Sequence, residues 1–169
     1  MIEAKPRQEK ERGHAWYEEG RTTPALPYIL LGLGLLGVGI AAWSPIPAGV
    51  WHDDGVYMLV GKAISGGQGF VYDGVAGAPP AAKFPPLYPL ILAVLWKLFG
   101  GIGPVTLAAT MLNIGFLAGA GAMFAYALQR ATGLSMRMSL AAAALGFAST
   151  DLIRTALVPL SEATFMLLT

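Results

Sequence analysis

From Pro104 to Leu128 the chain runs for 25 residues without a charge, with Asn113 as the only strongly polar side chain. As a helix this run reaches about 37 Å at 1.5 Å per residue, more than the ~30 Å hydrocarbon thickness of a bilayer. It predicts a membrane span closed by Gln129-Arg130. A second uncharged run, Ala25 to Trp43, reaches about 28 Å and places a tryptophan at an interface. Composition points the same way: 55% hydrophobic and 12% charged residues, with mean hydropathy +0.58, exceed what a water-soluble domain ordinarily carries. The expected fold class is all-α, a polytopic transmembrane helical protein.

Two shorter apolar segments lie beyond these runs. Ser139 to Ser149 is too short to cross alone and must continue toward Thr150, giving a span at about 138–150. Asp151 and Arg154 then mark an aqueous edge or a polar pocket between helices. A last span is expected from Leu157 to Thr169, where the sequence stops without cap, basic residues or exit loop. The reading is therefore of an amino-terminal fragment of a longer polytopic protein, incomplete for activity.

Residues 44–103 form the expected external loop. Within it, Asp54 to Ile64 carries Val56, Leu59, Val60 and Ala63 on one helical face, which predicts a short helix on the membrane surface. Phe84 to Phe99 is apolar but reaches only about 24 Å as a helix. Lysine and arginine counts are equal for a spanning and a surface-lying segment there, so length decides for a second surface helix.

Residues 1–24 read as a disordered, solvated tail. Lys5, Arg7, Lys10, Arg12 and Arg21 precede the first span, whereas only Lys62 and Lys83 follow in the next forty residues, so the amino terminus is expected in the cytoplasm. The five glutamates of the tail do not cancel this, because the rule is largely blind to acids. A cleavable signal is disfavoured by the long polar prefix and by Trp43 and Pro45 where small residues are required. The expected location is a bacterial inner membrane, multi-pass.

Several functions are excluded or disfavoured. A net charge of +1 leaves no basic surface for nucleic acid. With no cysteine, thiolate chemistry is absent, and any metal would need carboxylates with His14 or His52. Gly32-Leu33-Gly34-Leu35-Leu36-Gly37 spells a dinucleotide fingerprint, but it lies inside the first apolar run with no preceding strand. Gly115 to Gly119 reads as a small-residue helix-packing pattern.

Trp51-His52-Asp53-Asp54-Gly55-Val56-Tyr57 holds two adjacent carboxylates just past the first span. Ionised groups at a membrane are costly, and a carboxylate beside another is held more readily protonated, which suits a base. The plain alternatives are a helix N-cap for one acid, or two acids simply solvated in a loop.

The order of features, from cytoplasmic tail and single span through acidic pair with Tyr57 and Pro85-Pro86-Leu87-Tyr88-Pro89 to Leu160-Ser161-Glu162 opening a later span, resembles the GT-C class of membrane glycosyltransferases. The likeness is to bacterial relatives of dolichyl-phosphate-mannose protein mannosyltransferases and of aminoarabinose transferases, and it covers most of the chain from Ala25. It implies an inverting transferase that moves a hexose or pentose from a polyprenyl-phosphate donor to a hydroxyl of a lipid, glycan or protein on the external side. Asp53 and Asp54 are then the catalytic acids, with Tyr57, Lys83, Arg154 and Glu162 as substrate-binding residues. Some relatives have an acid and a lysine before the Pro-Pro pair, where this chain has Lys83 and Phe84. No cofactor is expected and no metal is predicted, although a divalent ion is compatible with the resemblance. The competing expectation is a noncatalytic membrane protein, a transporter subunit or assembly scaffold.

Overall fold

The computed structural model describes residues 24–169 except positions 46 and 51. The basic tail residues used for orientation, His14, and Trp51 of the acidic segment lie outside the described residues. Among those described, seven helices follow in chain order: α1 Leu26–Ala42, α2 Asp53–Ser65, α3 Leu87–Phe99, α4 Ile102–Thr132, α5 Met136–Phe147, α6 Thr150–Ala156 and α7 Glu162–Leu168. Their only strand-like pairing is an isolated antiparallel bridge, Val71 to Pro80, inside the α2–α3 loop. The all-helical expectation holds.

Helix α4 is the axis of the fold, and α1, α3, α5, α6 and α7 all contact it. At 31 residues it is, among the described residues, the one helix long and apolar enough to cross a membrane; α1, α3 and α5 are apolar but shorter. It starts at Ile102, ahead of Pro104, because proline is tolerated in a first helical turn where its missing N–H has no partner to lose. Gly133, left-handed at φ 70°, ends it.

Helix α1 lies along α4 at close range. A Cβ built on Gly39 would fall 2.5 Å from Ile114 Cγ2, so the Ile114 side chain occupies the space that any larger residue at 39 would need. Gly34 and Gly37 meet no neighbour, and all three fingerprint glycines sit within α1, which removes the nucleotide reading. The expected packing role of the Gly115–Gly119 pair is only half met: Gly119 faces Leu167, whereas Gly115 opens onto no neighbour within 4 Å. Small residues permit close packing but do not choose which face a partner takes.

The α2–α3 pair forms the layer beside the start of α4. Pro85 and Pro86 precede α3 and Gly100, at φ 69°, ends it. The buried face of α2 comprises Asp54, Tyr57, Met58, Val60, Gly61 and Ala63, while Leu59 is exposed. The sequence reading put Leu59 on one apolar face with Val56, Val60 and Ala63; of these Val60 and Ala63 are buried. Gly61 lies on the packed face because it takes the close approach of α3: a Cβ there would lie 2.7 Å from Leu92 Cβ. Trp96 Nε1 donates to Met58 O at 3.0 Å and fixes the far end of the pair.

The carboxy-terminal region departs from expectation. In place of helical runs over 138–150 and 157–169 there are three short helices, of 12, 7 and 7 residues. Pro159 is the physical cause of the second break, since it cannot donate to the preceding turn and its ring collides with the carbonyl four residues back. Ser135 caps α5 by accepting from Met138 N.

Candidate functional site

The first turn of α2 decides what each acid does. His52 is its N-cap residue at φ 64°, ψ −60°, a conformation rare for a side-chain-bearing residue, and its side chain makes no cap bond. Asp53 and Asp54 are the first two helical residues, so neither is the N-cap that the sequence allowed. Both gain from the positive end of the helix dipole.

The two carboxylates are otherwise unlike. Asp54 is 0% exposed. Its Oδ2 accepts from Gly49 N and its Oδ1 from Gly55 N, each at 2.8 Å. It therefore ties the turn after α1 to the helix that follows. The turn comes so near that a Cβ on Gly55 would stand 3.0 Å from Gly49 Cα. Asp53 keeps 51% of its side chain exposed and lies 3.8 Å from His52 Nδ1. Of the pair, Asp53 is the carboxylate open to solvent.

One turn along α2, the buried Tyr57 hydroxyl shares a hydrogen bond with Ser161 Oγ at 2.9 Å. Ser161 directly precedes α7, so this bond sets Glu162 beside Tyr57. Burial pushes the Tyr57 phenol above its ordinary range; the Ser161 bond opposes this, and the negative charges of Glu162 and Asp53 add to it. Three of the predicted residues, Asp53, Tyr57 and Glu162, are thus electrostatic neighbours although 109 positions separate the first from the last.

Aromatic rings form the floor. Tyr57 meets Phe84 and Tyr88 edge-on, with centroids 4.9 and 5.3 Å apart. Lys83 Nζ lies over the Phe84 ring at 5.2 Å, which brings this exposed cation to the same cluster through its neighbour. Tyr88 is fully buried, and its hydroxyl accepts from Asn113 Nδ2 at 3.0 Å. Burial raises the Tyr88 phenol strongly, with Glu162, Tyr57 and Asp54 adding to the rise and the Asn113 bond opposing it.

Arg154 stands on α6, exposed, in a cavity of about 200 Å³ shared with Asp151, Thr155, Val158 and Leu160. No ion pair joins it to Asp151 although both line this cavity. Val158 and Leu160 also pack with Tyr57 and Tyr88, which links this cavity to the aromatic floor. A larger cavity of about 360 Å³ lies between the end of α1 and the start of α4, lined by Trp43, Pro45, Pro47, Ile102, Thr106 and Leu107 among others. Its wall continues through Ala48 to the Gly49 turn that Asp54 holds.

Sequence reasoning missed Ser161, Tyr88 and Asn113 as members of the site. A lone asparagine in an otherwise uncharged span was the available signal. Among the described residues no group of three His, Asp or Glu side chains gathers to hold a metal. Compared with known proteins, the chain matches no family model, no curated protein and no solved structure.

Proposed function

We propose that this chain belongs to a polytopic membrane glycosyltransferase of the GT-C type, acting at the external surface on a polyprenyl-phosphate sugar. The observation that carries the reading is the division of labour in the acidic pair: Asp54 is locked into the fold, while Asp53 stays half open beside Tyr57 and Glu162. A carboxylate so placed accepts the proton of an acceptor hydroxyl as that oxygen attacks the anomeric carbon. The bond from the anomeric carbon to the phosphate oxygen breaks, and the polyprenyl phosphate departs with the electron pair. One displacement inverts the sugar's configuration. Lys83 and Arg154 are the cations offered to the departing phosphate.

Membrane placement rests on the helices themselves. Helix α4, about 46 Å long, exceeds the bilayer core, and α1 at about 26 Å nearly matches it. Helix α3, about 20 Å long, is too short to cross. It exposes Leu87, Leu90, Val94 and Leu98 in a stripe opposite its packed face, as a helix lying in the membrane surface would. With the amino terminus cytoplasmic, α2 and α3 lie outside.

A second reading, a noncatalytic scaffold or transporter subunit, draws on Asp54, whose carboxylate is fully engaged by backbone amides as in an ordinary structural loop. Transfer from a polyprenyl-phosphate sugar by the full-length protein in lipid separates the two. Asp53→Asn is expected to lower turnover by about 10²- to 10⁴-fold, the usual range for losing a general base. Undiminished turnover in that variant would remove the assigned base.

A further inference from the structure

Between α6 and α7, at Leu157 to Ser161, the backbone leaves helical form inside the packed core around α4. Carbonyls freed by such a break, buried without partners, cost roughly 1–3 kcal/mol each. Here they have partners from α4. Asn113 Nδ2 donates to Val158 O at 2.8 Å and to Leu160 O at 2.9 Å, while Thr110 Oγ1 donates to Leu157 O at 3.4 Å. The same Asn113 nitrogen reaches Tyr88 Oη on α3. Two amide protons thus serve three acceptors, and Asn113 Oδ1 is left without a partner among the described residues. The opposite amide orientation would set an oxygen against two carbonyls, so this one is dictated by the network.

We propose that Asn113 is a positioning residue of the site. By holding the Val158–Leu160 break and Tyr88 with one amide, it sets where Ser161 and Glu162 stand against Tyr57 and Asp53. Its effect on turnover rests on the transferase reading above; its effect on geometry does not. Asn113 is fully buried and is joined to the site through Tyr88 and the carbonyls of Val158 and Leu160. Pro159 explains the need: proline forces the chain out of the helix, and an amide on the neighbouring helix fixes the direction it takes.

The test uses the full-length protein in lipid nanodiscs, with nitroxide labels at Leu59→Cys on α2 and Phe165→Cys on α7. Both positions are exposed and outside the site, and residues 1–169 contain no cysteine; any elsewhere in the protein are replaced by serine. Pulsed electron spin resonance then reads the α2–α7 separation without any need for activity. Asn113→Leu keeps the size and removes both protons. It should shift or broaden the distance distribution and lower kcat by about 10²-fold, the scale of a small misplacement, with KM changed far less. Asn113→Ser retains one donor; it should show smaller effects in the same direction and serves if the leucine variant does not assemble. An unchanged distribution, or a shifted one with full kcat, would overturn the proposal. A shifted distribution in a protein whose parent transfers no sugar would support the positioning and remove the transferase reading instead.

Discussion

The phenolic oxygen of Tyr57 lies 2.9 Å from the hydroxyl of Ser161, a residue 104 positions further along the chain. This single bond joins the first turns of α2 to the start of α7 and so brings the acidic pair and Glu162 to one place. Removing either hydroxyl leaves its partner buried and unpaired. Tyr57→Phe and Ser161→Ala should each destabilise the protein by about 1–3 kcal/mol, and a double-mutant cycle should give a coupling of roughly 0.5–1.5 kcal/mol. Strictly additive thermal stabilities would show that the bond is not made.

Asp53 and Asp54 should separate cleanly in mutagenesis. Asp54→Asn sets an NH₂ group against the Gly49 or Gly55 amide and loses a charge-assisted bond, which should cost about 1–3 kcal/mol of stability. Asp53→Asn, half exposed, should leave stability within about 0.5 kcal/mol and act on turnover alone. Denaturation followed in parallel with transfer checks both; equal stability losses would contradict the assignment.

Alkaline pH should loosen the α2–α3 layer. Burial favours the neutral phenols of Tyr57 and Tyr88, so both ionise at higher pH in the folded protein than in the unfolded chain. The stabilisation is complete below the ordinary tyrosine value of about 10 and is lost as pH rises from there toward the raised folded values. Thermal stability measured from pH 9 upward should fall above pH 10. The fall should be shallower in Tyr57→Phe/Tyr88→Phe, and an identical slope in parent and variant would refute this origin.

Two glycines should respond in opposite ways to alanine. Gly61→Ala drives a Cβ to within 2.7 Å of Leu92 Cβ, and the overpacking should cost about 1–3 kcal/mol despite better helix propensity. Gly115→Ala meets no neighbour within 4 Å and should be neutral or stabilising by up to about 1 kcal/mol. Thermal unfolding of the two variants in lipid is a direct comparison.

Helix positions were largely legible because uncharged runs, proline pairs and glycine stops act locally. Proline before α3 and left-handed glycine after α3 and α4 need no knowledge of the rest of the chain. The break at Pro159 was legible too, yet a count of apolar residues alone carried a helix through it. Apolarity did not pick out the packed face of α2, because Leu59 and Gly61 differ in hydrophobicity in the direction opposite to their burial. Close backbone approach, not apolarity, selects that face.

The amino-acid sequence by itself determined the helical class, the long uncharged axis at α4, and the presence of two carboxylates at the head of α2, since chain stiffness and polarity are properties of neighbours. Only the tertiary structure decided that Asp54 is enclosed and Asp53 open, and that Ser161, Tyr88 and Asn113 stand with them. The roles of Ser161, Tyr88 and Asn113 depend on hydrogen bonds between residues 25 to 104 positions apart, and no local pattern encodes which buried partner a polar group will meet.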